Sequence, residues 1–482
     1  MAYNALLIER RKLLHERAGE ALESMHAERL DDHLGDLARH YSRSDNFSKA
    51  AEYLGRAGQQ AFQRSAYADA ISSLSAATAL LQKLPESPER IQRELLLLLA
   101  IGAASLAVRG NAAPAVEAEA VYSRARELCE RVGDPPELFP ALWGLWLMYL
   151  LRGELRTAYE LAEQLLTRAQ GARDPALLMY AHLALGNTLS FTGHLLGARE
   201  RLEVVISLYD PERHRPLAFR YGGNDPGVAG LSLASRALWL LGYPDQALER
   251  GNEALVLAQG LSQPHSLAFA KVFVGILHQF RGEVRPAQEN TESLIALCTE
   301  YGLTNSLTLA TSFRGWAMTE QGRTQEGIAQ IQEGLANMPA TEWSELYRPY
   351  WLSLLAEACA ETGRLEEGLS ALTEALVIAD EHEIRYYEAE MHRLKGELLL
   401  KQDASNAVAA RNRFERAVEI ARRQSAKSWE LRATMSLARL LASQGKRDEA
   451  RTMLSEIYNW FTEGFDTADL KDAKALLEEL AT

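Results

Sequence analysis

The chain has 482 residues, 47% hydrophobic and 24% charged, the balance of a globular protein long enough for several domains or one extended array. Its net charge of −13 argues against a non-specific nucleic-acid surface, which needs clustered Lys and Arg to neutralise phosphates. Cys129, Cys298 and Cys359 are odd in number and far apart, so no disulfide framework is expected and the compartment reads as reducing and cytoplasmic.

In chain order, residues 1–45 read as a polar helical cap or linker; the opening MAYNALLIERRKLLHERAGEALE is charged and amphipathic and does not read as a secretory signal. It carries His15, His26, His33 and His40, whose spacings of seven and eleven can align on a helix. Zinc ligands usually pair more tightly, so packing histidines are expected and no metal. The apolar run Leu95–Val108 has 14 residues, too few to span a bilayer, and reads as a buried helix. No membrane association is expected.

From there a spacing recurs. A turn glycine is followed by a small residue five positions on and a small or apolar one seven later, as in Gly242, Ala247 and Ala254. The first small residues fall at 118, 158, 198, 247, 287, 327, 368, 410 and 450, in steps of 40, 40, 49, 40, 40, 41, 42 and 40. Such a series is an internal repeat, each unit a helix, a tight turn and a second helix. The 49-residue step holds an insertion, residues 209–227, and the array of residues 46–482 ends in an expected capping helix at 466–482.

The Gly/Ala spacing resembles the tetratricopeptide repeat, and a small residue seven before the turn glycine also fits: Gly186, Ser235, Gly275, Gly315, Ala356, Gly396 and Ala438. The usual repeat is shorter, and the period alone would suit HEAT-like repeats, but the turn signature does not. The expected fold is all-α, a right-handed superhelical solenoid of tetratricopeptide-like helix pairs with a period of about 40 residues.

Several stretches, among them YSRSDNFSKAAEYLGRAGQQAFQRSAYADAI, YDPERHRPLAF, RYYEAEMHRLKGELLL and WFTEGFDTADLKDAKALLEEL, are similar to the C-terminal repeat region of bacterial STAND-type predicted ATPases. Many of those proteins carry a class III adenylate/guanylate cyclase domain, others a DNA-binding domain, and the maltose-regulator-type activators have a related arm. The resemblance implies the sensor or regulatory arm of a signalling switch; the alternative is the arm of a transcription regulator lacking its DNA-binding domain. No G-x4-G-K-[ST] loop occurs, and the one GK pair, Gly445–Lys446, lies in a repeat turn. No H-E-x-x-H, C-x-x-C or G-x-S-x-G motif occurs either, so no enzyme and no cofactor are expected of this chain.

Two sets of residues are candidates for binding a protein or peptide partner, with a small ligand as a further option. Counted back from each turn glycine by the register of tetratricopeptide repeats, Asn187, Arg236, Trp239, Gln279, Trp316, Glu357, Arg393 and Glu397 face the concave side. Trp and Arg are residue types that anchor interfaces. The competing reading makes the tryptophans inter-repeat core and Glu357, Arg393 and Glu397 a solvated ion-pair network. The second set lies in the insertion: Arg213, His214, Arg215, Phe219, Arg220 and Tyr221, a cationic and aromatic cluster on an acidic scaffold. Its competing reading is a loop packed over its own repeat.

Overall fold

The computed structural model describes residues 8–64, 66–107, 112–133, 135–217, 221, 224–261, 263–338 and 344–481. The helices are α1 (Ile8–Met25), α2 (Leu34–Ser42), α3 (Phe47–Gln63), α4 (Tyr67–Leu81), α5 (Pro88–Ala107), α6 (Ala112–Val132), α7 (Leu138–Leu151), α8 (Leu155–Ala172), α9 (Pro175–Phe191), α10 (Leu195–Leu208), α11 (Pro211–His214) and α12 (Pro226–Leu241). They continue as α13 (Pro244–Leu261), α14 (Pro264–Phe280), α15 (Val284–Tyr301), α16 (Thr304–Glu320), α17 (Thr324–Asn337), α18 (Ser344–Glu361), α19 (Leu365–Glu381), α20 (Glu388–Gln402), α21 (Ala407–Gln424), α22 (Lys427–Ser443), α23 (Arg447–Tyr458) and α24 (Ala468–Ala481). There is no strand among the described residues, and none of their helices is long and apolar enough to cross a membrane.

The repeat turns work as the glycine spacing requires. The turn glycines from Gly153 to Gly445 take left-handed backbones, from φ +70° at Gly282 to +93° at Gly242. At Gly242 the chain closes α12 with two bonds, Gly242 N–H to Trp239 C=O at 3.0 Å and Tyr243 N–H to Leu238 C=O at 2.9 Å. That pattern satisfies last-turn carbonyls and reverses the chain into α13. The marker residues Ala158, Ala198, Ala247, Ala410 and Ala450 are fully covered, as expected where one helix lies close on another. Between α16 and α17 the approach is tighter still: a Cβ on Gly327 would stand 2.5 Å from the Gly315 carbonyl oxygen.

The chain divides into two compact units, Met1–Leu145 with Leu217–Gly223, and Trp146–Pro216 with Asn224–Thr482. In the first unit Tyr122 of α6 wedges between α5 and α7, where a Cβ on Gly102 or Gly144 would meet its ring at 2.4 Å or less. Tyr221 packs edge-on to Trp143 and Phe139, and its carbonyl accepts from the Trp143 indole N–H at 3.0 Å.

In the second unit the helix pairs run from α8 onward, and the inner helices meet across the axis. Trp239 of α12 lies 4.7 Å from Trp429 of α22, and Phe280 of α14 stacks near Tyr387, next to Tyr350. Polar contacts reinforce this at the helix ends, where the last carbonyls of a helix lack partners of their own. Phe191 C=O, ending α9, accepts from Arg385 N–H at 2.8 Å. Trp239 C=O accepts from Ser428 Oγ at 2.5 Å, and Phe280 C=O from Arg432 Nη2 at 2.6 Å. Just past the Gly242 turn, the Glu463 carboxylate accepts from the first-turn N–H groups of Asp245 and Gln246 in α13, at 2.9 and 3.1 Å. The second unit therefore buries a continuous aromatic core where an open concave face was expected.

Candidate functional site

Closure uses up the concave side along α9, α12 and α14. What stays open is a cavity of about 220 Å³ on α16, α18 and α20, lined by Trp316, Glu320, Glu357, Glu361, Arg393, Glu397 and Lys401 over Leu354, Leu394 and Leu398. Four of the residues singled out by the repeat register, Trp316, Glu357, Arg393 and Glu397, come together here. Glu320, Glu361 and Lys401 stand four residues after Trp316, Glu357 and Glu397 in their helices. Positions i and i+4 share a helix face, so each of these pairs lies on one wall.

An ion-pair network forms the floor. Arg393 grips Glu390 with both arms of its fork, Nη2 to Oε1 at 2.7 Å and Nε to Oε2 at 2.8 Å. Its distances to Glu357 and Glu397 are both 3.8 Å. Arg432 reaches Asp469 at 2.9 Å and Glu390 at 3.3 Å, with its guanidinium over the rings of Trp239 and Trp429. Burial pushes the Glu390 carboxyl up, but Arg393 and Arg432 more than offset it, and its pKa falls below the usual range. The network is thus largely buried, with Glu390 1% exposed, rather than solvated.

Glu357 is different. Its side chain is 39% exposed, but the exposed part faces the cavity. It makes no hydrogen bond to a described residue. Desolvation raises its pKa to about 7, with Glu390 and Glu320 adding repulsion and Arg393 and Arg432 opposing it. Partial desolvation at the rim, then repulsion from Glu361, raises Glu320 as well. Glu397 accepts from Ser436 Oγ at 2.5 Å. The cavity is therefore acidic, with its one interior arginine already committed to Glu390.

The other concave-register residues lie in the closed core. Arg236 is 2% exposed and stacks on Phe191, Phe273 and Tyr386, with guanidinium carbon to ring distances of 4.3, 5.2 and 5.1 Å. Its Nη2 donates to Ser190 Oγ at 3.0 Å, while Nε and Nη1 have no acceptor. Trp239 is buried against Phe280 and Trp429, and Gln279 is buried and accepts from the Tyr350 hydroxyl at 3.0 Å. Asn187 is half-buried, with its Oδ1 unpaired.

Residues 209–215 of the insertion pack back against α12 and α13. Asp210 caps α11, and its own N–H donates to His214 Nδ1 at 2.9 Å, which buries that imidazole. Arg215 Nη2 donates to Leu261 C=O at 2.6 Å, a cation placed at the C-terminal end of α13. Tyr209 donates to Asp225, the N-cap of α12, at 2.9 Å. Arg213 stays outward, with its side chain 80% exposed and a 3.5 Å contact to Asp210. Phe219 and Arg220 lie outside the described residues, and Tyr221 packs in the first unit.

Among the described residues no three His, Cys, Asp or Glu side chains converge to hold a metal ion. The four early histidines form two pairs: His15 and His40 are hydrogen-bonded Nδ1 to Nδ1 at 3.0 Å, and His26 stacks on His33 at 3.8 Å. The three cysteines are buried free thiols.

No family model matches the chain. An uncharacterized protein of Rhizobium meliloti (strain 1021) is 25% identical over 444 residues, 91% of this chain and 42% of the relative, so the chain spans less than half of that relative's length. Among solved structures, a Rap protein complexed with competence and sporulation factor superposes with a TM-score of 0.58 at 11% identity, over 78% of this chain and 99% of that one. The Rap conjugation gene regulator of the plasmid pLS20, in complex with a Phr peptide, gives 0.45 at 11% identity, over 89% and 96%. With the helix pairs and turns above, the first of these likenesses establishes an all-α, tetratricopeptide-like repeat fold.

Proposed function

We propose that the chain is a non-catalytic binding and regulatory scaffold, which engages a protein or peptide through the cavity on α16, α18 and α20. The observation that carries this reading is the convergence of Trp316, Glu357, Arg393 and Glu397 in a cavity that closure leaves open. A Rap protein of similar fold, complexed with competence and sporulation factor, supports a binding use of such an array. The parent system we propose is a bacterial signal-transduction ATPase or nucleotide cyclase, with this chain as its cytoplasmic sensor arm. The quoted sequence similarity supports that assignment. Ligand binding then regulates only through different affinities for two arm conformations. Selection of peptides from a random display library tests the scaffold reading directly: specific peptides should be enriched, and competition among them should map to this cavity. ATP hydrolysis or cyclic-nucleotide formation that survives stringent purification would overturn the non-catalytic assignment.

A further inference from the structure

We propose that the cavity on α16, α18 and α20 receives the cationic head of a Lys or Arg side chain presented by the bound peptide or protein, an assignment that rests on the scaffold reading above. Size is the first argument. About 220 Å³, against about 150 Å³ for a cavity that takes one benzene, is room for one long side chain. Shape is the second. Trp316, Leu394 and Leu398, each 5% exposed or less, back the cavity with a narrow apolar strip beside which the methylene stem of Lys or Arg can lie, while its charge reaches the polar end.

Charge is the third and independent argument. Arg393 spends its fork on Glu390, which leaves Glu357 and Glu397 3.8 Å away and incompletely neutralised. Glu357 has no hydrogen bond within the described residues, so its carboxylate lacks what a bound guanidinium or ammonium would supply. An anion is disfavoured there, because the carboxylates of Glu320, Glu357, Glu361 and Glu397 outnumber Lys401 and an arginine already paired with Glu390. A metal ion is disfavoured by geometry, since among the described residues no three ligating groups converge. A cation on a long stem satisfies size, wall and charge together.

The test uses the full chain and a random heptapeptide display library. The enriched peptides should share a Lys or Arg. Changing that residue to norleucine or citrulline, which removes the charge and keeps the stem, should weaken binding about tenfold or more, as expected for loss of a hydrogen-bonded charge contact. Glu357→Gln should weaken the parent peptide similarly, and should flatten a rise in affinity between pH 5.5 and 8 that follows Glu357 losing its proton at about 7. Glu397→Gln provides a second variant should the first fail to fold, and Glu381→Gln, on an exposed helix end, should bind normally. Enriched peptides that lack a basic residue, or that bind equally well after its neutralisation, overturn this inference and leave the scaffold reading standing. Enrichment of no peptide at all overturns both.

Discussion

Arg432→Met tests whether the second unit is held closed. The guanidinium donates to Asp469 at 2.9 Å, to Glu390 at 3.3 Å and to the Phe280 carbonyl at 2.6 Å, and lies between Trp239 and Trp429. A hydrogen bond to a charged group contributes about 1.5–3 kcal/mol, and the energy recovered from Arg432's own desolvation offsets part of that loss. What decides the sign is the residue left behind. Asp469 would remain a largely buried carboxylate without its arginine, and the end of α14 would lose a cap. Breaking a buried pair from one side costs about 3–5 kcal/mol, and that is the expected loss. Asp469→Leu should cost less, because Arg432 keeps Glu390. In the double variant the stranded carboxylate is gone, so its loss should fall short of the sum of the single losses by about 1–3 kcal/mol. Urea unfolding, read by far-UV circular dichroism and by tryptophan fluorescence, supplies all four corners of the cycle. If Arg432→Met costs less than about 1 kcal/mol, or if the two changes simply add, the network does not hold α22 against α12 and α14.

Three further outcomes follow from the same geometry. Gly327→Ala should cost about 1–3 kcal/mol by overpacking, since its Cβ would lie 2.5 Å from a backbone oxygen; in urea melts it should exceed Gly322→Ala, which meets only left-handed strain at φ +81° with nothing within 4 Å. Arg236→Met should raise the urea midpoint, because it removes a buried cation that has no carboxylate partner and two unpaired donor nitrogens; a clear loss of stability would instead credit the three stacked rings with holding it. Glu357 has its pKa raised in the fold from 4.5 to about 7, so its protonated form favours folding, a contribution full below about 4.5 and lost as pH rises through about 7. Glu357→Gln, a neutral isostere, should therefore gain on the wild type in unfolding assays across that window, and a variant that loses ground there contradicts the assignment.

Local structure was legible because one physical constraint repeats. A left-handed turn favours glycine, and a small residue five positions later lets the second helix lie close on the first, so Gly242 and Ala247 announce a helix pair without any tertiary knowledge. The register that followed placed Trp316, Glu357, Arg393 and Glu397 on one side, and they do share a cavity. Counting one turn further along each helix would have added Glu320, Glu361 and Lys401, the i+4 neighbours on the same face. Glu390 and Asp469 were out of reach of that count. Their roles come from Arg393 and Arg432, and Asp469 belongs to the terminal helix, outside the repeat register.

The closure of the second unit is the part that periodicity does not encode. A repeat pattern describes contacts between neighbours about 40 residues apart. The bond from Ser428 to Trp239 spans 189 residues, and that from Gly464 to Asp245 spans 219. Whether such distant helices meet depends on small rotations per repeat, accumulated over several repeats, and no single residue carries that sum. The consequence for function is selective. Arg236 and Glu357 hold the same register position, six before their turn glycines, yet one is 2% exposed in an aromatic core and the other opens on a cavity. Residue type explains how each tolerates its place. Arg236 presents a flat, weakly hydrated cation that stacks on rings, which suits a dry core better than an ammonium would. Glu357 sits where desolvation and neighbouring carboxylates oppose its charge, a condition that a cation from outside relieves. Closure thus turns equivalent register positions into a core at α12 and an acidic opening at α18.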